Sequence, residues 1–176
     1  MDKKDLRQFI RMQKRQFTSQ QLSELSLAVT GRLRAHPKVK AANIILMYYS
    51  LADEVDTHEL IEQLRQGGKT VLLPAVVSDT DMELRYYEGP QDLLGGFFDI
   101  MEPVGRLFTD YESIDVAVVP GMSFDSRCNR LGRGKGYYDR FLPKIPQAYK
   151  IGVCFDFQKM PGIPADEHDM KMDEVI

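Results

Sequence analysis

"NIILMYYSLADEVDTHELIEQLRQGGKTVLLPAV", Asn43–Val76, is the stretch whose reading decides the fold. Its first eight residues, NIILMYYS (43–50), form a short apolar run of the kind that fills a strand buried on both faces. In DTHELIEQLRQGG (56–68) the apolar residues return at helical spacing, with Asp56 placed to cap the helix and Gly67 to stop it. TVLLPAV (70–76) is strand-like again. Strand, helix and strand on the order of 30 residues describe a βαβ unit, which makes the two strands parallel and puts the helix on one face of the sheet.

Outward from this unit the same alternation continues. MELRYY (82–87) is a further strand, IDVAVVP (114–120) another continuous apolar run, and YKIGVCF (149–155) the last. A short helix is expected from Tyr137 to Leu142. The first 35 residues read as two helices. Leu6, Phe9, Ile10 and Phe17 share the core face of the first, while Lys4, Arg7, Arg11 and Lys14 share another that reads as solvated surface. Thr18 or Ser19 caps the second, Leu22, Leu25, Val29 and Leu33 are in phase on it, and Pro37 ends it. The expected fold is α/β, a three-layer sandwich around a mainly parallel sheet.

No repeat, low-complexity tract or linker divides the 176 residues, and 43% hydrophobic content suffices for one core, so a single domain over 1–176 is expected. The 23 basic and 26 acidic residues leave a net charge of -3, which argues against a nucleic-acid partner. Two cysteines, Cys128 and Cys154, are too few for a disulfide framework and fit reduced thiols in a cytoplasmic protein. The charged start MDKKDLRQFI is unlike a signal peptide, and no apolar run reaches the roughly 20 residues of a membrane span. No heptad pattern demands a dimer, so a monomer is expected.

The functional signal lies after the apolar run 114–120, in RLGRGKGYYDRF (Arg130–Phe141). Glycines at every second position let backbone N–H groups converge on phosphate oxygens without a Cβ in the way, and the helix that follows adds a partial positive charge. Arg130, Arg133 and Lys135 supply full charges, Tyr137 and Tyr138 offer flat faces to a heterocycle, and Asp139 is suited to a magnesium ion bridging phosphates. The spacing is neither GxGxxG nor Walker A. GGKT (67–70) runs from helix into strand, the reverse of a P-loop, and HELIE (58–62) lacks the second histidine of a zinc protease. A basic surface loop remains the plain alternative on spacing alone.

Taken together, KKDLR (3–7), YYSLADEVDT (48–57), LLPAV (72–76), IMEPVG (100–105), VVPGMSFDSRCNRLGRGKGYYDRFL (118–142) and DEHDMKMDEV (166–175) resemble the 5-formyltetrahydrofolate cyclo-ligase family, also called methenyltetrahydrofolate synthetase. The likeness covers nearly the whole chain. It implies ATP- and magnesium-dependent conversion of 5-formyltetrahydrofolate to 5,10-methenyltetrahydrofolate, with ADP and phosphate released. By the same resemblance Lys3, Lys4, Asp5, Leu6 and Arg7 contact the nucleotide, and Arg130, Leu131, Gly132, Arg133, Gly134, Lys135, Gly136, Tyr137 and Tyr138 form the main ATP loop. Asp139 and Asp173 match magnesium positions. Leu51 and Asp56 match folate contacts with Glu54 beside them, and Arg133 to Tyr137 also face the reacting formyl group. Lys135 and Arg133 are the expected catalytic residues.

Two departures from the family pattern carry expectations of their own. Cys128 stands where the family commonly has glycine, which predicts an altered turn or a thiol near the site. The chain stops soon after MDEV, which predicts a frayed Asp173 until ligand binds. Two other readings of the glycine loop stay open: a sugar-phosphate isomerase or CoA-transferase-like enzyme, and an RNA-binding module using GRGKGYY as a basic aromatic patch.

Overall fold

A computed structural model describes residues 1–96 and 100–176. The N-terminal helices are α1 (Lys3–Lys14), α2 (Ser19–Ala35) and the short α3 (Pro37–Ala41). They are followed by β1 (Ile44–Leu46), α4 (His58–Gln66), β2 (Thr70–Val76), β3 (Met82–Tyr87), β4 (Leu93–Gly95), β5 (Met101–Pro103) and β6 (Leu107–Phe108). The second half holds β7 (Val116–Pro120), β8 (Ser123–Asp125), β9 (Arg130–Leu131), α5 (Tyr137–Phe141), β10 (Tyr149–Val153), β11 (Lys159–Met160) and β12 (Glu174–Val175).

The main sheet has seven strands in the order β12-β10-β7-β1-β2-β3-β6. Strands β12, β10, β7, β1 and β2 run parallel, whereas β3 and β6 add an antiparallel edge. Pleating sends successive residues to opposite faces, so each central strand feeds two cores. Ile45, Val71, Leu73, Val116, Val118 and Ile151 join α2, α3 and α4 through Leu33, Val39 and Ile61. Leu46, Leu72, Leu84, Ala117 and Val119 face Phe124, Phe141, Leu142 and Ile145 instead. This is the expected three-layer arrangement. Each fully buried aliphatic side chain here contributes about 1.5–3 kcal/mol. A smaller sheet, β11-β8-β9, packs beneath α1 through Leu6, Ile10, Met122 and Leu131.

Several expectations shift in detail. Strand β1 ends at Leu46, and residues 47–50 continue as irregular chain in which all but Tyr49 are buried. There hydroxyls replace the ladder: Thr57 Oγ1 donates to Tyr48 O at 2.6 Å, Thr57 N donates to Ser50 Oγ at 3.0 Å, and Tyr48 OH donates to Val55 O at 3.0 Å. Thr57 is the N-cap residue of α4, while Asp56 Oδ1 accepts from His58 N. Thr18 caps α2 in a capping box with Gln21. Leu25 is exposed, because the inward stripe of α2 runs through Leu22, Ser26, Val29 and Leu33. Pro37 opens α3 as well as closing α2, since its missing N–H costs nothing at a helix start. On α1, Lys14 is buried rather than solvated. The C-terminal residues are tied down: Asp173 N donates to Lys150 O at 2.8 Å and Ile176 N to Gly152 O at 2.9 Å, so this segment is an edge strand rather than a frayed end.

Candidate active site

Strand order reverses at β1, whose neighbours are β2 on one side and β7 on the other. Chain leaving the carboxyl ends of β1 and β7 therefore diverges, which opens a crevice in sheets of this kind. A cleft of about 880 Å³ occupies this end of the sheet. It is lined by Lys3 and Arg7 of α1, Leu51 and Glu54 from the loop after β1, residues 130–140, and residues 166–170.

One carboxylate builds the turn that delivers the glycine loop. Asp125, buried at the end of β8, accepts at Oδ1 from Arg127 N and Asn129 N and at Oδ2 from Asn129 Nδ2 and Ile163 N, all at 3.0 Å. Burial pulls its pKa up, but these donors outweigh it and hold the carboxyl below its ordinary value. Within this turn Cys128 adopts φ 62°, the left-handed conformation that glycine takes without strain. The cysteine takes a glycine-like geometry, and its thiol packs at the edge of the second core rather than in the cleft lining. Burial raises that thiol's pKa.

Beyond the turn, Arg130 is buried, with Nε donating to Pro120 O at 2.7 Å, its guanidinium 4.9 Å above the Tyr138 ring and Nη1 3.9 Å from Asp139 Oδ1. Burial lowers its pKa against the opposing pull of Asp139. Desolvation pushes the Tyr138 phenol well above its ordinary value, so it stays a neutral platform. Gly134 (φ 115°) and Gly136 (φ 72°) turn the backbone through conformations that a side chain would strain. A Cβ on Gly136 would also lie 2.8 Å from Arg140 Nη1. Helix α5 is only five residues long, so few peptide dipoles sum at its start.

Hydrogen bonds to backbone carbonyls and ion pairs set the loop in place. Arg7 Nε donates to Gly132 O at 2.8 Å, and Arg140 donates to Lys135 O and Thr80 O, each at 2.6 Å. Lys3 Nζ bridges Asp166 at 2.8 Å and Asp169 at 2.7 Å. Burial works against the Lys3 ammonium, but the two aspartates carry its pKa upward. Arg133 Nη2 pairs with Asp53 Oδ1 at 2.8 Å and lies 3.5 Å from Glu54 Oε2. Glu54 Oε1 in turn accepts from Leu51 N at 2.8 Å. Lys14, buried at the end of α1, holds the other oxygen of Asp53 at 3.3 Å. Burial lowers the Lys14 ammonium more than Asp53 raises it, while half-exposed Asp53, facing two cations, stays below its ordinary value despite its own desolvation.

Of the residues singled out from sequence, Lys3, Arg7, Leu51, Glu54, Arg130, Leu131, Gly132, Arg133, Gly134, Lys135, Gly136, Tyr137, Tyr138 and Asp139 line this one cleft. Leu6 points into the core beneath α1, and Lys4 and Asp5 lie outside the lining. Asp56 lines an adjoining recess of about 430 Å³, with Ser26 and His58, that shares Tyr49, Leu51 and Glu54 with the main cleft. Asp173 lies outside the lining, its carboxylate accepting from Lys150 N at 2.8 Å. Sequence reading missed Asp53, Lys14, Arg140, Asp166 and Asp169 as parts of the site. The one available signal was phase, since Lys14 stands two helical turns from Arg7.

Among the described residues no group of three or more His, Cys, Asp or Glu side chains is placed to hold a metal ion by itself. Asp139 Oδ1 accepts from Met170 N at 3.0 Å, and Oδ2 has no hydrogen-bond partner among the described residues. A cleft carboxylate with one free oxygen fits magnesium, which usually keeps its waters and takes one or two carboxylates plus substrate phosphates. The main sheet's helices include none long and apolar enough to cross a membrane among the described residues.

The sequence pattern of the 5-formyltetrahydrofolate cyclo-ligase family matches residues 1–176. A 5-formyltetrahydrofolate cyclo-ligase of Mus musculus is 31% identical over 99% of this chain and 92% of its own length. The NMR structure of the Aquifex aeolicus 5,10-methenyltetrahydrofolate synthetase superposes with a TM-score of 0.86 at 32% identity, covering 99% of this chain and 89% of that one. A 5,10-methenyltetrahydrofolate synthetase of Mycoplasma pneumoniae gives 0.81 at 27% identity, covering 100% and 98%.

Proposed function

The chain belongs to the 5-formyltetrahydrofolate cyclo-ligase family and is a ligase, and on that premise we propose that it closes 5-formyltetrahydrofolate to 5,10-methenyltetrahydrofolate at the expense of ATP. The observation that carries the ATP half is the convergence of Lys3, Arg7, Arg130, Arg133 and Lys135 with the glycine backbone in one cleft beyond the carboxyl ends of the strands.

The chemistry asks for a leaving group. A formamide oxygen leaves poorly, so it first attacks the γ-phosphorus of ATP; the bond from that phosphorus to the β,γ-bridging oxygen breaks and ADP departs. The resulting imino-phosphate carries an activated formyl carbon. Folate N10 attacks that carbon, loses its proton, and the C–O bond to phosphate breaks as the five-membered ring closes. Phosphoryl transfer of this type needs positioning and charge neutralisation above all. Lys135, exposed on the loop with its carbonyl clasped by Arg140, is the group proposed to meet the transferred phosphoryl, with Arg133 and the loop N–H groups beside it. Magnesium, when bound, would neutralise phosphate charge, and Asp139 is the residue that would hold it; Asp173, outside the cleft lining with its carboxylate on Lys150 N, is not part of that site. Glu54, which lines both cleft and recess, and Asp56, which lines the recess, supply acceptors for the N–H groups of the pterin.

The test is direct. Purified protein with ATP, magnesium and 5-formyltetrahydrofolate develops the near-ultraviolet absorbance of methenyltetrahydrofolate, and omission of ATP abolishes it. No product at high enzyme concentration sinks the reading. Lys135→Ala loses turnover with its circular dichroism unchanged, and full activity in that variant removes the role given to Lys135.

A further inference from the structure

Three segments far apart in sequence meet in one row of charges: the end of α1, the loop after β1 and the glycine loop. In order the row reads Lys14, Asp53, Arg133 and Glu54, with Lys14 Nζ 3.3 Å from Asp53 Oδ2, Arg133 Nη2 2.8 Å from Asp53 Oδ1 and 3.5 Å from Glu54 Oε2. Lys14 has 5% of its side chain exposed, so its charge is committed to Asp53 rather than to solvent. Arg133 differs: 41% of its side chain is exposed and it lines the cleft. Its Nη2 is taken by the carboxylates, while Nε and Nη1 have no hydrogen-bond partner among the described residues. A guanidinium is a planar fork whose value to a phosphate depends on orientation, and a fork anchored at one corner loses less freedom on binding.

We propose that Asp53, held by Lys14, is the positioning residue for Arg133, fixing one corner of its guanidinium so that the free N–H groups serve the polyphosphate in the cleft. This rests on the ATP-dependent reading given above. Surface ion pairs contribute little as a rule, and the buried ammonium is what separates this row from one: a lysine brought out of water at the end of a helix has one hydrogen-bond partner for its ammonium among the described residues, Asp53 at 3.3 Å. Glu54 also carries charge toward Arg133, but its Oε1 is already engaged by Leu51 N and its distance is longer, so it limits where the guanidinium can swing rather than anchoring it.

A double-mutant cycle tests the idea. Asp53→Asn keeps size and one acceptor but loses the charge, and Lys14→Met removes the anchor while filling its volume. Binding of inorganic tripolyphosphate, measured by calorimetry on the full chain, weakens about fivefold to tenfold in Asp53→Asn and less in Lys14→Met. Neither change has more than a twofold effect when Arg133 is already alanine. In turnover the same variants lower kcat for ring closure while leaving the KM for folate within twofold, which a loosened fold does not do. Urea midpoints run in parallel identify a variant that fails to fold, and the other variant then carries the cycle. Equal losses with and without Arg133 overturn the proposal, as does tighter tripolyphosphate binding in Asp53→Asn, which makes Asp53 a competitor of phosphate. A protein that shows the coupling with tripolyphosphate yet makes no methenyl product retains Asp53's role and loses the function assigned above.

Discussion

Replacing Asp125 by asparagine removes one charge and rearranges four hydrogen bonds at the turn that delivers Arg130. The Asn oxygen can keep Arg127 N and Asn129 N, but its amide then faces two donors, Asn129 Nδ2 and Ile163 N. Asn129 can turn its own amide over to offer an oxygen; Ile163 N cannot, and is left without its acceptor. One orphaned part-buried donor costs about 1–3 kcal/mol, and two bonds reduced from charged to neutral lose about 0.5–1 kcal/mol each, so about 2–5 kcal/mol is expected at pH 7. For a chain of this size that is roughly 4–20 °C in Tm. The pH dependence follows from the depressed pKa of Asp125. A carboxylate held below its unfolded value, about 3.9, stabilises the fold fully above that value and loses its contribution as pH falls through the lower folded one. The gap between wild type and variant, measured by urea unfolding followed by circular dichroism, is therefore constant from pH 7 to about 5 and narrows toward pH 3. A gap under 0.5 kcal/mol at pH 7 would falsify the account of the turn, and a gap unchanged at pH 3 would show that the charge contributes nothing to it.

Three further outcomes are expected. Gly152→Ala places a Cβ 2.5 Å from Phe124 Cε1 and 3.0 Å from Met172 Cγ, and overpacking of this kind lowers stability by about 1–3 kcal/mol in urea unfolding; a neutral change would mean that Phe124 can move aside. Lys3→Met leaves Asp166 and Asp169 facing the cleft without their cation, so the KM for ATP rises about tenfold with kcat little changed in steady-state kinetics, whereas an unaltered KM removes Lys3 from the nucleotide site. Burial pushes the Cys154 thiol up to about 12 and also raises Cys128, so a disulfide reagent at pH 7 titrates both thiols slowly in the native protein and rapidly in urea; fast native labelling of Cys154 contradicts its buried place.

Much of this architecture was legible because it is written locally. The βαβ unit of residues 43–76 follows from apolar run, helical phase and glycine stop, each set within a few residues. The capping box at Thr18 and Gln21 is equally local. Leu25 misled because a leucine three residues from Leu22 fits the same helical face, and only the packing of Ser26, which donates to Leu22 O and accepts from Asp56 N, shows which stripe turns inward. The basic face of α1 misled in a similar way. Periodicity collects Lys4, Arg7, Arg11 and Lys14 on one side, but whether that side meets water or protein depends on what the rest of the chain brings to it.

The sequence by itself determined the layer order, the place of the glycine loop after a central strand and the family to which its motifs belong, because backbone preference and hydrophobic phase act over a few residues. Only the tertiary structure decided which charges meet. Lys14 and Asp53 are 39 residues apart and Asp53 and Arg133 80, and Lys3 reaches Asp166 across 163. Ion pairs have no sequence period, since Coulomb attraction depends on distance and desolvation in the folded state. The same holds for Cys128: its residue type argued against a left-handed turn, and the hydrogen bonds collected by Asp125 impose one.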